Sequence, residues 1–276
     1  MSGVSPVQSS QAQAAIARAS AATGVDFDYL VAQARLESGL DPNARAATSS
    51  AAGLYQFIGG TWLETLDRHA GTHGLDWAGA AITRQGGRAT IGNPALRGQI
   101  MALRYDPDVS ALMAAELARD NSAELSGFLG REPDSTELYM AHFLGAAGAR
   151  DFLGALQSTP QASAAALFPK PAAANQAIFF DGGRARSVAE VMDLLRSRVS
   201  AAMQGGAGAQ ASGGHAYSAP ASSFARAADS FSQAAPMRRV SMAETLQATF
   251  GGSESLGGRA AQRVDEAYGK FRTFGL

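Results

Sequence analysis

The chain contains no cysteine, so it has neither disulfides nor a thiolate metal site. A formal net charge of −1 over 276 residues does not indicate the basic face that electrostatic nucleic-acid binding requires. No run approaches the ~18 consecutive apolar residues of a membrane-spanning helix. The N-terminus, MSGVSPVQSSQAQAAIARAS, lacks a basic segment followed by an apolar one, so it is not a standard secretory signal. We expect no nucleic-acid partner and no membrane span.

Histidine is scarce, and the four histidines lack the paired spacing of a zinc site. His69 and His73 are separated as in a helical metal pair, but Gly71 and Gly74 interrupt the helix that such a pair needs. We therefore expect neither a metal ion nor another cofactor.

Apolar residues recur at helical spacing through most of the chain before about residue 200, and no segment alternates cleanly with period two along the length of a strand. The pattern predicts an all-α protein with at most a small β excursion in the Gly-rich residues 71–92. A short segment over 125–129 is expected to follow the helix that starts at Pro107. Helix-start signals occur at Asp26, Thr61, Asn93-Pro94, Asp106-Pro107, Asp134 with Glu137, and Ser187 with Glu190.

Composition divides the chain into four parts. Large apolar residues before about residue 200 fit one core, which predicts a main domain over 1–170 and a helical extension packed on it over 171–203. Residues 204–236 are rich in Gly, Ala and Ser, the composition of a flexible, disordered linker. Residues 237–276 hold enough apolar positions for two short helices, which are predicted to dock onto another surface.

One acidic residue has an unusual position. Glu37 comes at the predicted C-terminal end of a helix, where the helix dipole disfavours a charged carboxylate. The protonated form that this favours is the form that a general acid needs. A glutamate at a helix end is most often simply solvated, so position alone assigns no function.

A second unit, Gly53-Leu54-Tyr55-Gln56, follows Glu37 after a loop of small residues. Gly permits close backbone approach, Tyr can stack on a sugar face, and Gln offers both a donor and an acceptor. By itself, such a tetrapeptide is equally typical of a core strand or turn.

Together the two units resemble the catalytic motifs of the lysozyme-like lytic transglycosylases of the soluble-lytic-transglycosylase family. That family carries Glu-Ser at a helix end, then Asn in the following loop, then Gly-Leu-Met-Gln. The resemblance is specific over residues 26–66, looser to about residue 157, and implies a lysozyme-like, α-rich catalytic domain over 1–170. The matching residues are Glu37-Ser38, Asn43, Gly53-Leu54-Tyr55-Gln56, Phe57 and Thr61-Trp62.

The third motif of the family, Ala-Tyr-Asn-x-Gly, is altered in this chain. Its place is taken by Ala141-His142-Phe143-Leu144-Gly145, which departs at both Tyr and Asn. Either His142 or Tyr139 could supply the missing hydrogen bond to Glu37 and the substrate. A core position on an apolar helix would explain either side chain equally well.

The resemblance implies a peptidoglycan lytic transglycosylase. Glu37 would protonate the oxygen between N-acetylmuramic acid and N-acetylglucosamine and then, as a carboxylate, take the C6 hydroxyl proton as a 1,6-anhydro ring closes. Asp41, the one further acid between Glu37 and Gln56, precedes Pro42 and fits a turn cap, which favours this non-hydrolytic route. The implied substrate contacts are Ser38, Asn43, Gly53, Tyr55, Gln56, Tyr139 and His142.

Two alternatives stay open: a muramidase that hydrolyses the same bond, and an inactive glycan-binding or assembly protein of the same fold. The leading function implies glycan strands as the partner and the periplasm or cell wall as the location. Because no standard signal is visible, delivery by an envelope-spanning flagellar, pilus or secretion assembly, through the C-terminal segment, is a further hypothesis.

Overall fold

Helices make up most of the described chain, which comprises residues 6–46 and 49–205 of the computed structural model. The prediction of a mostly helical protein is confirmed. The chain divides into two units, residues 1–233 and 234–276, and the described residues belong to the first. Most of the predicted linker and all of the predicted docking segment, 237–276, lie outside the described residues.

Eleven α-helices and two hairpins form the described part. The helices are α1 (Pro6–Thr23), α2 (Phe27–Ser38), α3 (Gly59–His69), α4 (Asp76–Ala80), α5 (Pro94–Ala102), α6 (Pro107–Leu129), α7 (Ser135–Ser158), α8 (Ala164–Leu167), α9 (Pro169–Ala174), α10 (Gln176–Phe179) and α11 (Val188–Gln204). Single 3₁₀ turns cover Ala70–His73 and Leu103–Tyr105. The antiparallel hairpins pair β1 (Thr83–Gln85) with β2 (Arg88–Thr90), and β3 (Phe180–Asp181) with β4 (Arg184–Ala185).

The first hairpin lies in the Gly-rich region where a small β excursion is predicted. The register of this hairpin pairs Thr83 with Thr90. Each of its two strands is three residues long, and most of their residues are exposed. The second hairpin is not predicted, because strands of two residues are too short to show a period-two pattern.

Local capping chemistry starts five helices where the sequence predicts. The Asp26 side chain accepts a hydrogen bond from the Tyr29 N–H at 2.7 Å. Asn93 and Asp106 cap α5 and α6 in the same way, each with proline in the first turn. Reciprocal capping boxes, Asp134 with Glu137 and Ser187 with Glu190, start α7 and α11.

Two predicted boundaries are wrong. Helix α3 begins at Gly59 with Ile58 as its cap, so Thr61 lies inside the helix, where its carbonyl accepts from Thr65 Oγ1 at 2.9 Å. Helix α6 is continuous, and the segment predicted over 125–129 is its last part. Leu125 is fully buried there. Core packing therefore keeps the residues before Leu125 helical, although their intrinsic helix propensity is low.

Core packing holds α2 against α11. Helix α11 packs against both α2 and α7, and α6 packs against α1 and α7. Arg35 Nη1 donates to the Ala202 carbonyl at 2.7 Å, which ties α2 to the end of α11. The largest fully buried side chains include Trp62, Tyr55, Tyr139, Phe143, Phe152 and Phe179.

Helix α7 is interrupted at Gly145, whose φ of 76° and ψ of 157° are not helical. Gly145 is the last residue of the altered third motif. None of the described helices is both long and apolar enough to cross a membrane.

The capping box of α7 is expected to stabilise the fold in a pH-dependent way. Glu137 accepts from the Asp134 N–H at 2.8 Å and from both terminal nitrogens of Arg131 at 2.7 Å. The Arg131 hydrogen bond holds the pKa of Glu137 below its ordinary value of 4.5. This stabilisation is therefore fully present above pH 4.5 and is lost as the pH falls through the lowered folded-state pKa.

Glu137→Gln should reduce the free energy of unfolding by about 1 kcal/mol at pH 7. The difference from the unmodified protein should shrink below pH 4.5, as urea unfolding at both pH values would show. Glu64→Gln is the control, because Glu64 makes no ion pair among the described residues. An equal Glu137→Gln effect at all pH values would contradict the assignment.

Candidate active site

The backbone changes direction at the end of α2, and the Glu37 side chain in the last turn stays buried. Gly39 adopts the left-handed conformation, with φ 65° and ψ 29°, and its N–H donates to the Arg35 carbonyl at 3.0 Å. The Leu40 N–H donates to the Ala34 carbonyl at 3.3 Å, which closes the helix end. Glu37, in the last turn, is 1% exposed.

Two side chains of α7 hold the Glu37 carboxyl group. Tyr139 Oη donates to Glu37 Oε1 at 3.1 Å, and His142 Nε2 lies 3.3 Å from the same oxygen. Tyr139 and His142 are three residues apart and so face the same side of the helix. The sequence leaves them as alternatives, whereas the structure brings both to Glu37. No described group hydrogen-bonds the other oxygen, Oε2.

Two buried phenols, Tyr139 and Tyr29, lie close enough to Glu37 for its charge to act on them, and a third, Tyr55, lies near Tyr29. Burial, followed by the charge of Glu37, raises the pKa of Tyr139 well above its ordinary value and raises that of Tyr29 as well. Burial also raises the pKa of Tyr55. Tyr139 therefore remains a neutral phenol that donates to Glu37 throughout the physiological pH range.

Tyr29 is absent from the residues that sequence reasoning selects. It lies about two turns before Glu37 on the same helix and is 3% exposed. No sequence motif at Tyr29 distinguishes a core phenol from one beside a carboxylate.

Ser38 connects α2 to the Gly53–Gln56 turn, and Gln56 connects that turn to the loop before it. Ser38 Oγ lies 2.7 Å from the Leu54 carbonyl and 3.1 Å from that of Ala34, so its hydroxyl faces backbone acceptors. Gln56 Nε2 donates to the Gly53 carbonyl at 2.9 Å and to that of Ala44 at 3.2 Å. Gln56 itself has a positive φ of 47°, and its Oε1 is buried without a hydrogen-bond partner.

Tyr55 and Asn43 differ in their exposure. Tyr55 is fully buried and donates from Oη to the Leu30 carbonyl at 3.1 Å, so its ring presents no face to a sugar in this structure. Asn43 is exposed in the loop, and its backbone N–H donates to Asp41 Oδ1 at 2.9 Å. The described contacts join neither side chain to Glu37. Asp41 thus acts as a cap of the turn.

Arg104, which sequence reasoning does not select, holds the loop that carries the turn. Its Nη1 donates to the carbonyls of Ser50 at 2.6 Å and Phe57 at 3.0 Å. Burial lowers the pKa of this guanidinium from its ordinary value. Gly53, with φ 80°, lies so close that a Cβ would come within 1.8 Å of the Arg104 carbonyl oxygen. A lone arginine between helices carries no sequence pattern that predicts this contact.

A second buried acid, Glu116 of α6, lies in a different cluster. It is 1% exposed, and its Oε1 lies 2.6 Å from His73 Nε2 and 3.2 Å from Arg119 Nη1. His69 lies 2.9 Å from Asp120 Oδ2. The two histidines thus pair with carboxylates of α6, and in residues 6–46 and 49–205 no three such side chains form a group that could hold a metal ion.

No protein-family model matches the chain. Chemically, the arrangement at Glu37 is a buried carboxyl group with two nitrogen or oxygen neighbours at one oxygen and no described partner at the other. Such a group can give a proton from Oε2 and be stabilised at Oε1 as the charge develops.

The close approach of Gly53 to Arg104 gives a stability prediction. Gly53→Ala should reduce the free energy of unfolding by about 3 kcal/mol, because it adds a backbone clash to the roughly 1 kcal/mol penalty of positive φ. Gly130→Ala is the matched control, since Gly130 also has positive φ, at 69°, but open space around its Cα. It should lose about 1 kcal/mol in the same urea titration. Equal losses would show that the carbonyl contact contributes nothing.

Proposed function

We propose that the chain is a peptidoglycan lytic transglycosylase of lysozyme-like fold, with Glu37 as its single acid and base. The proposal joins the motif resemblance to one observation, the buried Glu37 carboxyl group that Tyr139 and His142 approach at one oxygen. The mostly helical fold and the Gly53–Gln56 turn beside α2 support the same function.

In the first step, protonated Glu37 donates from Oε2 to the oxygen that links N-acetylmuramic acid to N-acetylglucosamine. The bond between that oxygen and C1 of the muramic sugar breaks, and the sugar's acetamido group stabilises the oxocarbenium-like centre. Tyr139 and His142 fix the carboxyl plane through Oε1, which keeps Oε2 oriented toward the departing oxygen.

In the second step, the Glu37 carboxylate takes the proton of the C6 hydroxyl as O6 bonds to C1. A 1,6-anhydro ring forms, Glu37 regains its proton, and no water is consumed. The hydrogen bond from Tyr139 strengthens when Glu37 becomes negative, because a bond to a charged acceptor is stronger than one to a neutral acceptor. It therefore stabilises the charge that develops in the transition state more than the ground state.

A hydrolytic route would use a second carboxylate ~5–9.5 Å from the first. Among the described residues, the polar side chains that approach the Glu37 carboxyl group are a phenol and an imidazole. Asp41 caps a turn, and Glu116 is engaged by His73 and Arg119. Because Asp41 and Glu116 already make these contacts, the arrangement supports the anhydro product over the muramidase alternative.

The proposed function places the protein at peptidoglycan glycan strands in the periplasm or cell wall. We further propose that residues 237–276 bind an envelope-spanning assembly that delivers the enzyme. Truncation after Gly205 removes no described helix. The truncated protein should release the same products from purified sacculi but lose its co-localisation with the assembly, as fluorescence microscopy of a tagged protein would show. Unchanged localisation would argue against a docking role.

Glu37→Gln should reduce the release of muropeptides from purified sacculi by roughly 10²–10⁴-fold, because Gln can neither give nor take the proton. Mass spectrometry should find that the products of the unmodified enzyme weigh one water less than hydrolysed muropeptides. Asp41→Asn, which keeps the turn cap, is the control and should retain most of the activity.

Two results would change the assignment. Clearing of cell walls by Glu37→Gln at the unmodified rate would remove Glu37 from the chemistry. Hydrolysed products, dependent on Glu37, would make the protein a muramidase.

A further inference from the structure

Two arginines, Arg45 and Arg104, form a pair beside the loop that carries the Gly53–Gln56 turn. The Arg45 guanidinium is exposed and stacks over the Tyr105 ring, with Arg45 Cζ 4.7 Å from the ring centroid. Arg104 precedes Tyr105 and is 8% exposed. Burial is the main cause that lowers the pKa of Arg104, and the positive charge of Arg45 acts in the same direction. The two cations therefore lie within electrostatic reach of each other.

Neither guanidinium of this arginine pair forms an ion pair with a carboxylate in the part of the chain that the structure describes. Arg104 donates instead to the main-chain oxygens of Ser50, Phe57 and Met101. A carbonyl oxygen carries only a partial charge, so these bonds hold the guanidinium in place without cancelling its full charge.

The acids nearest to the arginine pair in the sequence accept hydrogen bonds from the backbone. Asp41 Oδ1 accepts from the Asn43 N–H at 2.9 Å, and Asp106 Oδ1 accepts from the first N–H groups of α6 at 2.9 and 3.0 Å. The arginine pair is thus a local positive charge that the described acids do not neutralise. A charge of this kind favours an anionic ligand.

The loop backbone joins the arginine pair to the candidate active site. Arg45 pairs with Ala52 in an antiparallel bridge. The carbonyl of Ala44, the preceding residue, accepts from the Gly53 N–H at 2.9 Å and from Gln56 Nε2 at 3.2 Å. The backbone that carries the exposed guanidinium is therefore fixed to the turn that lies beside α2.

We propose that Arg45, next to the buried charge of Arg104, binds a carboxylate of the substituent that muramic acid carries at O3. The inference rests on the proposed function, since it names a further part of the same substrate. A planar guanidinium offers two parallel N–H donors to a carboxylate. Stacking on Tyr105 restricts the orientation of the Arg45 plane and leaves the N–H groups at its edge for a ligand.

Two sources supply this carboxylate chemistry. Where no peptide is attached, the O3 substituent is a lactyl group with a free carboxylate. Where a stem peptide is attached, the lactyl group is an amide, and the carboxylates belong to the peptide. Both kinds of strand present an anion near the muramic acid ring, so the experiment uses ligands that separate the two.

The test measures binding by isothermal titration calorimetry to Glu37→Gln protein, which does not consume the ligand, with and without Arg45→Gln. The first ligand is a tetrasaccharide of alternating N-acetylglucosamine and N-acetylmuramic acid with stem peptides. The second is the same tetrasaccharide after an amidase has removed the peptides, and the third is chitotetraose, which has no carboxylate. Lys170→Gln is the matched control, because Lys170 is exposed on α9 and forms no ion pair within residues 6–46 and 49–205. Circular dichroism establishes that each variant is folded.

Arg45→Gln should weaken the binding of a carboxylate-bearing ligand about ten-fold and leave that of chitotetraose unchanged, because it removes a charged donor and no net contact to the sugar rings. A loss with the peptide-bearing ligand alone would assign the peptide carboxylates, and a loss with the stripped ligand alone would assign the lactyl carboxylate. A loss with both would show that Arg45 accepts either. Lys170→Gln should change none of the three affinities.

Three results would overturn the proposal. In the first, Arg45→Gln leaves the affinity for both carboxylate-bearing ligands unchanged. In the second, it weakens all three ligands equally, which a merely structural role in the loop would produce. In the third, Lys170→Gln weakens the carboxylate-bearing ligands as much as Arg45→Gln does, since the effect would then come from the overall charge of the protein.

Cleavage kinetics separate this inference from the proposed function. With Glu37 in place, Arg45→Gln should raise KM for strands that carry the assigned carboxylate about ten-fold and leave kcat within about two-fold, as expected for the loss of uniform binding. An unmodified enzyme that releases no muropeptide would refute the proposed function, and calorimetry would still decide whether Arg45 binds carboxylates. Release of anhydro-muropeptides with unchanged affinities in Arg45→Gln would leave the function in place and remove Arg45 from it.

Discussion

The contact of α7 with one carboxyl oxygen of Glu37 is the constraint on which the site depends. A buried carboxyl group is costly unless donors satisfy it, so Tyr139 and His142 must stay in place for the folded state to tolerate Glu37. Helix α11 packs against both α2 and α7, with Val191, Leu195 and Val199 buried. The extension after residue 170 therefore belongs to the support of the site as much as to the surface of the domain.

A second constraint acts through backbone carbonyls. Ser38, Tyr55 and Gln56 each direct a polar side-chain atom at a main-chain oxygen, those of Leu54, Leu30 and Gly53 respectively. Arg104 does the same for the ends of the loop. The residues that the motif singles out thus build the turn beside α2. This framework holds the loop without a disulfide, which a chain that lacks cysteine cannot form.

Prediction from sequence succeeded where the interaction is local. Asp26, Asp134 and Ser187 cap helices because each side chain bonds an N–H only two or three residues ahead, so the short pattern contains the whole interaction. It failed where packing overrides local signals, as in α6, which continues through Leu125, and in α3, which starts before Thr61. The sequence also did not predict the burial of Tyr55, since the carbonyl that the phenol binds belongs to Leu30, on another element.

The sequence by itself determined that the protein is mostly helical, where five of the eleven described helices begin, and that Glu37 stands at the end of one of them. The tertiary structure decided that Tyr139 and His142 both reach Glu37, that Tyr55 is buried, and that Arg104 holds the loop. Tyr139 and Glu37 are 102 residues apart. Periodicity shows that each helix has an apolar face, but which faces pack together, and so which polar side chains meet at their edges, depends on the fit of the whole core.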